Sequence, residues 1–544
     1  MKFISSLSSK SSIKGRSPPG PGIRRERMWQ FALLALLAAY LLVFSIINFC
    51  GFTDFMTPDI YSDTLAARYM WEQKSLFPEG WVFGNQYYVV ATPVLSALFY
   101  GLIGSMNLAM AIATTVMTLA LLAACYWLFR SFLGQTQALA GLVALVASVL
   151  SIKLSSKYEA QILFLMASYY SCYLLTAVIV WGDYVQALFQ KKRLACPSFF
   201  LGIFLSFATG MQSPRQTCVM VLPLLGFEGL RVLITCLDRR PVDWKPALRT
   251  VCVAAANVCG LLLMSMLQIP SVHIYGVHSH SLSQRLSSLV RALCDITNLS
   301  YIHKFGPNKT WFIFLFSLAS IAVVLAALWR TTMRLRNHRV NMLDAMIGLC
   351  VLSLLAVCAT IVLPKFSVRS IYLFMWYFLV CLSIVSLIDT NTKRGKQLAL
   401  ALLCIVAALN LRHSYANDLR HALTKGQDTY FSYYVDIADE LEKSDFEILY
   451  AQVSEGSVIA SYTDGKVICS PWNYEDLFQS VGYIYPQDLR GPEDNDRAVY
   501  LIPDKHLEEA RRQAQEKSAE LTLVRQFETM ALYTSSVQLM RPVI

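Results

Sequence analysis

The chain has 544 residues, of which 55% are hydrophobic and only 15% are charged, whereas about a quarter of the residues of a soluble protein are charged. Together with many apolar runs of about 20 residues, this deficit predicts a polytopic α-helical membrane protein and argues against a β-barrel, which would show short segments of alternating polarity. Residues 1–411 carry a net charge of +20 and residues 412–544 carry −9. The basic excess is expected to set membrane topology, so nucleic acid is not an expected partner.

The 14 cysteines lie mostly inside apolar runs, where Cys behaves as a small hydrophobe, and only Cys469 falls in the acidic part of the chain. No spacing predicts a disulfide framework, a CxxC motif or a Cys/His metal site. The redox compartment of the protein is therefore not indicated by its cysteines.

The N-terminal region divides into a tail, a first span and a polar loop. Residues 1–27 are rich in Ser, Gly and Pro and carry seven Lys or Arg against one acid, which predicts a disordered basic tail in the cytoplasm. The apolar run Met28–Phe49 is too long for a signal-peptide core and is predicted to be a retained span. In the first outer loop, residues 50–104, the stretch Val89–Gly104 is short and contains Pro93, which favours a helix lying at the membrane surface.

Ten further spans bring the predicted total to eleven. Every second loop from Arg130 to Lys396 is basic, and the positive-inside rule places these loops in the cytoplasm. The N-terminus is then cytoplasmic, and the first loop and residues 412–544 lie together on the outer side. The further spans are predicted at about 105–130, 137–154, 160–181, 197–212, 217–237, 247–269, 310–329, 343–364, 371–388 and 397–411.

Residues 412–544 alternate helical and β-like segments, which predicts a small soluble α/β domain outside the cytoplasm. The predicted helices are Tyr430–Lys443 and Lys505–Lys517. The predicted fold is thus an all-α polytopic membrane protein of about eleven transmembrane helices, residues 28–411, followed by this domain. The β-like runs are Ile448–Val453, Ser457–Tyr462, Lys466–Cys469, Ala498–Ile502, Leu521–Phe527 and Met530–Thr534.

The first outer loop concentrates the carboxylates of the membrane part, since five of the 14 acidic residues before residue 412 lie within residues 54–88. Thr57 and Pro58 predict the start of a helix, which places Asp59 and Asp63 on one face. Asp63 is the first candidate for a general base because no structural role is visible for it in the sequence. Asp59 is the alternative, although an acid in the first turn also stabilises the helix dipole.

Aromatic and amide side chains follow this helix. Trp81 and Asn85 are candidates for sugar binding, since rings stack on the CH faces of sugars and amides bond to hydroxyl groups. An aromatic belt at the membrane interface is the alternative interpretation, and it is the preferred one for Tyr87 and Tyr88.

Three cations in short outer loops break the positive-inside pattern: Arg215, Lys365 and Arg369. A charge near lipid is costly and is often functional, and guanidinium groups match the geometry of phosphate. These residues are predicted to bind the phosphate of a donor. Extension of the side chains to lipid head groups is the alternative.

The loop of residues 270–309 contains His278 and His280, but no third metal ligand stands at a convincing spacing. Leu282–Ile296 is predicted to be an amphipathic surface helix. Asp59 and Asp63 could also hold a divalent cation, which two carboxylates alone do not establish. No cofactor is therefore assigned.

The run Ser62–Tyr69, followed by Leu76-Phe77-Pro78, Trp81 and Gly84–Gln86, resembles the GT-C superfamily of membrane glycosyltransferases. This superfamily includes protein O-mannosyltransferases, aminoarabinose transferases and oligosaccharyltransferase catalytic subunits, and the first-loop pattern is similar to that of uncharacterised bacterial members. Many spans and an extracytoplasmic C-terminal domain complete the resemblance. It implies an integral protein of the bacterial plasma membrane.

The resemblance also implies a reaction. A sugar is transferred with inversion from a polyprenyl-phosphate-linked donor to a glycan, lipid or protein acceptor at the outer face, with Asp63 or Asp59 as base. Arg369–Tyr372 is similar to an Arg-Tyr element near a late span of the family, which implies Tyr372 as a substrate-binding residue.

Two other functions compete with this interpretation. A transporter or flippase of lipid-linked sugars would need no covalent chemistry, but such proteins often show repeated halves and polar residues at the membrane midplane. Here no repeat is visible and the polarity lies at the outer edge, which favours the enzyme. A polymerase or ligase of surface polysaccharide is the other alternative, because the 270–309 loop contains arginines and histidines.

Overall fold

The structure is a computed structural model, and in the described residues it contains seventeen α-helices and five β-strands. The described ranges are 21–50, 56–84, 86–149, 170–190, 196–272, 281–297, 299, 310–360, 368–388, 392–414, 419, 423, 432–472, 476–486 and 496–541.

Fourteen of these helices precede residue 415, and nine helical segments in the described ranges are long and apolar enough to cross a membrane. The chain is therefore an integral membrane protein, as its composition predicts. The bounds are α1 Pro21–Cys50, α2 Pro58–Glu72, α3 Thr92–Ile103, α4 Met106–Arg130, α5 Gln135–Val149, α6 Ser171–Gln190, α7 Pro197–Gln212, α8 Leu222–Leu237, α9 Trp244–Met266, α10 Leu282–Ile296, α11 Thr310–Arg336, α12 Met342–Ala359, α13 Met375–Ile388 and α14 Lys393–Ser414.

The helix α3 lies where the sequence predicts a surface helix. It has 12 residues and is therefore about 18 Å long at 1.5 Å per residue, too short for a hydrocarbon core of about 30 Å. Two of the predicted spans, α5 and α7, are also shorter than the nine long ones, with 15 and 16 residues.

Two predicted boundaries differ from the structure. The helix α1 begins at Pro21, so residues 21–27 are helical where the composition predicts disorder. The span predicted at 160–181 is displaced towards the C-terminus, because α6 continues to Gln190 through the buried carboxylate of Asp183. An ion pair with Arg249 neutralises this carboxylate inside the bundle, and the sequence does not reveal this partner.

Hydrogen bonds show that alternate loops meet at one end of the bundle. The Gln190 side chain donates to the Ser131 carbonyl at 2.7 Å and contacts Met342 Sδ at 3.6 Å. Gln30 donates to Thr136 Oγ1 at 3.3 Å. The ends of α4 and α6 therefore lie beside the starts of α5 and α12. This end carries the basic loops.

The C-terminal part contains a five-stranded sheet in the order β2-β1-β3-β5-β4. The strand β1 is parallel to β2 and β3, and β5 is antiparallel to β3 and β4. The bounds are α15 Ser432–Lys443, β1 Ile448–Gln452, α16 Val453–Tyr462, β2 Ile468–Trp472, β3 Ala498–Pro503, α17 Leu507–Glu516, β4 Leu521–Gln526 and β5 Met530–Ser535.

These elements match the predicted alternation except at one place. Ser457–Tyr462, predicted as β-like, belongs to the helix α16. The strands β1 and β2 are parallel, so the chain must cross back between them, and a helix is the usual crossover. The apolar residues of this segment pack on the sheet and do not extend it.

The two faces of the sheet pack differently, as the alternation of side chains in a strand requires. Leu449, Val499 and Leu501 belong to a core that continues into the membrane helices. Tyr450 and Tyr500 belong to a second cluster, which includes apolar residues of α17. The helix α16 contacts both the sheet and α2, so it lies between the sheet and the first loop.

A turn after α16 attaches the C-terminal part to the first loop. Arg68 Nη1 in α2 donates to the Gly465 carbonyl at 2.7 Å. At the start of α4, the Asn107 side chain donates to the Ser461 carbonyl at 2.7 Å and its backbone N–H donates to Asp464 Oδ1 at 2.8 Å. The first loop and the C-terminal part therefore share the end of the bundle opposite the basic loops.

Candidate functional site

The helix α2 starts as its sequence predicts. Thr57 is the N-cap, and its hydroxyl accepts a hydrogen bond from the Ile60 N–H at 3.3 Å. Pro58 occupies the first helical position, where its missing N–H is tolerated. Asp59 lies in the first turn, and Asp63 lies one turn later.

Asp63 is enclosed by the fold of the loop. Its side chain has no solvent exposure, and the Tyr88 hydroxyl donates to Asp63 Oδ1 at 2.5 Å. Tyr88 is itself buried and contacts Phe83 at a ring distance of 5.7 Å. The prediction that Tyr88 belongs to an interfacial belt is therefore wrong: the ring fills the core of the loop, because its hydroxyl has a buried carboxylate as partner.

Asp59 has a different environment on the same helix. The residue is exposed to solvent, yet burial raises the pKa of its carboxyl, and the guanidinium groups of Arg369 and Arg215 oppose this rise. Exposure of the residue and the effect of burial on its pKa both fit a carboxylate in a recess that protein surrounds and water enters. Asp59 thus lies within electrostatic reach of both Arg215 and Arg369, although they are far apart in the sequence.

Arg215 is held by aromatic rings and an amide. Its guanidinium carbon lies 5.5 Å from the ring centre of Tyr170 and 5.3 Å from that of Tyr372, within the range of cation–π attraction. Arg215 Nη1 donates to Gln86 Oε1 at 3.1 Å. The residue lies just before a π-helical turn, Thr217–Val221, a form that is frequent at functional sites.

Gln212 fixes the position of the first loop relative to Arg215. Its side-chain Oε1 accepts from the backbone N–H groups of Val89 and Val90 at 3.3 and 3.2 Å, and its carbonyl accepts from the Tyr87 N–H at 2.9 Å. Sequence reasoning did not single out this residue. A fully buried amide at the end of an apolar helix is the feature that could have indicated it.

Arg369 is exposed and precedes a short 3₁₀ helix, Ser370–Leu373. This helix carries Tyr372, so Arg369 and the ring beside Arg215 are held by one turn of backbone. The amphipathic helix α10, which has the predicted bounds, packs against this turn. Lys365 lies outside the described residues.

The candidates for sugar binding are not gathered at one place. Trp81 is buried, with its ring 5.8 Å from that of Tyr69, and its Nε1 has no hydrogen-bond partner among the described residues. Tyr372 lies beside Arg215, as described above. Asn85 lies outside the described residues, and its neighbour Gln86 is the amide that contacts Arg215.

The segment around Phe83 links three parts of the chain. The Phe83 N–H donates to the Pro270 carbonyl at 3.0 Å, and the Val272 N–H donates to the Phe83 carbonyl at 2.8 Å. On the other side, the Ile484 N–H donates to the Val82 carbonyl at 2.7 Å. A segment of the C-terminal part therefore borders the first loop near the site.

In the described residues, no group of three or more His, Cys, Asp or Glu side chains is arranged to hold a metal ion. His278 and His280 lie outside these residues. The absence of an assigned metal therefore stays a prediction.

No family model and no curated protein sequence matches the chain. Among solved structures, it is similar to the crystal structure of ArnT from Cupriavidus metallidurans bound to undecaprenyl phosphate. The two chains are 11% identical, and the match covers 94% of this chain and 99% of that one with a TM-score of 0.51. At this identity the likeness shows the fold. The chain therefore has a polytopic fold similar to that of ArnT.

Proposed function

We propose that this protein transfers a sugar from a polyprenyl-phosphate-linked donor to an acceptor at the outer face of the membrane. The observation that carries the proposal is the exposed residue Asp59, whose carboxylate lies within electrostatic reach of the guanidinium groups of Arg215 and Arg369. An acid and two cations from separate parts of the chain meet at the loop end of the bundle. A base and a phosphate site are the two parts that such a transfer needs.

The chemistry follows from these groups. A hydroxyl or amine of the acceptor attacks the anomeric carbon of the sugar while Asp59 accepts its proton. The bond between that carbon and the phosphate oxygen breaks, and the polyprenyl phosphate leaves with the bonding electrons. Arg215 and Arg369 stabilise the charge that develops on the phosphate.

We assign the role of base to Asp59 rather than to Asp63. A general base must come within hydrogen-bond reach of the proton that it removes. The Asp63 carboxylate is enclosed and bonded to Tyr88, whereas Asp59 is accessible. Asp63 then acts as a positioning residue that connects α2 to the end of the loop.

Lys365 and Asn85 keep their predicted roles within this proposal, whereas the roles of Tyr372 and Trp81 change. Tyr372 orients the guanidinium of Arg215 through its ring, and Lys365 is a further ligand for the phosphate. Asn85 is a contact for the sugar, whereas the buried ring of Trp81 packs against Tyr69 inside the loop. The similarity to a protein whose crystal structure contains undecaprenyl phosphate supports the class of donor.

The test uses the purified full-length protein in lipid nanodiscs with a panel of radiolabelled undecaprenyl- and dolichyl-phosphate sugars. Asp59→Asn should reduce turnover at least 100-fold, the usual contribution of a general base being about 10²–10⁴. Asp63→Asn should stay within about tenfold of the wild type, since the amide oxygen can still accept from Tyr88. Glu79→Gln, an exposed carboxylate of the same loop, is the matched control.

Two results would reverse these assignments. Wild-type turnover in Asp59→Asn would remove Asp59 as the base, and a large loss in Asp63→Asn with unchanged thermal stability would return that role to Asp63. If the wild type neither transfers sugar nor hydrolyses any donor of the panel, a transporter or flippase becomes the better interpretation.

A further inference from the structure

The segment Phe478–Pro486 of the C-terminal part closes against the first loop. Besides the bond from Ile484 to Val82, an isolated antiparallel bridge joins Trp81 to Pro486. The segment therefore pairs with the backbone of the loop at Trp81 and Val82. This pairing fixes the segment in place near α2.

The same segment is held by its own sheet. The Ser480 N–H donates to the Arg541 carbonyl, and the Val481 N–H donates to the Pro471 carbonyl, both at 3.1 Å. Two residues beyond Tyr483, the Tyr485 hydroxyl lies 2.8 Å from Ser457 Oγ of α16. The segment is thus anchored on both sides, and the residues between the anchors have little freedom.

Its backbone has a conformation that the surroundings must enforce. Ile484 has a φ of +57°, which is a rare value for a β-branched residue. Such strained residues persist only where neighbouring structure determines them, and they concentrate at ligand sites. Gly84 allows the close approach, since a Cβ there would lie 3.0 Å from Ile484 Cγ2 and 3.7 Å from the Tyr483 ring.

This geometry brings Tyr483 to the site. The residue is half-buried. Burial raises the pKa of its hydroxyl, Asp59 raises that pKa further, and Arg369 opposes the rise. The hydroxyl is therefore within electrostatic reach of both site residues, and it stays protonated at neutral pH.

We propose that Tyr483 is a substrate-binding residue, supplied by the C-terminal part, whose hydroxyl donates a hydrogen bond to the phosphate of the lipid-linked donor. The inference rests on the proposed function, because it takes its ligand from there. It adds a neutral donor to the phosphate site of Arg215 and Arg369. It also makes the site incomplete without the C-terminal part.

The test measures binding of undecaprenyl phosphate, without a sugar, to the full-length protein in nanodiscs, with undecaprenol as the uncharged probe. Tyr483→Phe should raise the Kd for undecaprenyl phosphate about tenfold, as expected for a lost hydrogen bond to a charged group. Binding of undecaprenol should not change. Tyr450→Phe is the control, since it removes a buried tyrosine hydroxyl that faces Gln538 on the other face of the sheet.

A second variant, Gly84→Ala, should weaken binding in the same direction, because the added methyl group crowds Ile484 at 3.0 Å and shifts the backbone that carries the adjacent Tyr483. If the wild type prefers undecaprenyl phosphate to undecaprenol and Tyr483→Phe binds it equally well, the Tyr483 inference is overturned and the proposed function stands. Equal weakening in Tyr450→Phe would overturn it as well. A wild type without preference for the phosphate would overturn both.

Discussion

At Asp59, opposing effects act on a single carboxylate. Burial, the larger effect, raises its pKa, while Arg369 and Arg215 lower it. Its charge in turn raises the pKa of Tyr483 and of Tyr485. A base acts only in its ionised form, so the rate of transfer should fall as the pH decreases through this raised pKa. The acid limb of the profile should then lie above the usual range of an aspartate, which is near pH 4.

Arg369→Gln tests this coupling through the pH profile of kcat/KM, which reports the pKa of the free enzyme. The variant removes a charge that lowers the pKa of Asp59, so the acid limb should move to higher pH while the overall rate falls. Arg130→Gln makes the same charge change at the opposite end of the bundle and should not move the limb. If the acid limb of the pH profile does not move in Arg369→Gln, Asp59 is not the base.

Residue types and spacing were enough to select the carboxylates and cations of the site, but not to rank them. The helical period places Asp59 and Asp63 on one face. Which of them is enclosed depends on Tyr88, which follows Asp63 by 25 residues in the chain. No local rule connects the two, because the loop between them must fold before the hydroxyl reaches the carboxylate.

At the scale of the elements, the helices α7 and α9 approach each other closely at two glycines. A Cβ at Gly210 would lie 2.3 Å from the Asn257 carbonyl oxygen, and one at Gly260 would lie 2.2 Å from the Phe207 carbonyl oxygen. Small residues allow such contacts between membrane helices. Asn257 also accepts a hydrogen bond from Thr217 at 2.7 Å, so this helix pair supports the turn that carries Arg215.

Gly210→Ala should therefore destabilise the protein by about 1–3 kcal/mol, the range for overpacking, and weaken donor binding by shifting Arg215. Thermal unfolding in detergent and binding of undecaprenyl phosphate measure the two effects. Gly229→Ala in α8 is the matched control, because nothing lies within 4 Å of its added Cβ. Equal stability of the two variants would show that the helices separate easily here.

For the whole molecule, the attachment of the C-terminal part depends on the turn at Gly465. This residue has a φ of +88°, and a Cβ there would lie 2.3 Å from Met106 Sδ. Its carbonyl accepts the hydrogen bond from Arg68. The turn thus combines a left-handed backbone with close contact to α2 and α4.

Gly465→Ala and Arg68→Ala should both loosen this attachment and lower turnover, because the segment that carries Tyr483 would no longer be held at the site. Hydrogen–deuterium exchange should increase in α16 and in residues 478–486. Glu72→Ala removes the exposed ion pair with Arg68 and an exposed hydrogen bond of 3.4 Å from the Tyr100 hydroxyl. An exposed ion pair contributes under about 1 kcal/mol, so the variant should leave exchange nearly unchanged. Unaltered exchange in Gly465→Ala would contradict a role for the turn.

The sequence by itself determined the membrane class, the alternation of basic loops and most elements of the C-terminal part. These properties depend on composition and on periodicity along a single segment, which are local. It also selected Asp59, Asp63, Arg215 and Arg369, because charges are rare and costly in such a chain. The strand-like interpretation of Ser457–Tyr462 failed because the parallel pairing of β1 with β2 is a property of the sheet.

Only the tertiary structure decided which groups meet. The rings of Tyr170 and Tyr372 around Arg215, and the pairing of Ile484 with Val82, join residues separated by tens to hundreds of positions. Such contacts arise from helix packing and from the attachment of the C-terminal part, which no segment encodes alone. The physical reason is that enclosure and electrostatic fields depend on distance in space, whereas sequence patterns report only distance along the chain.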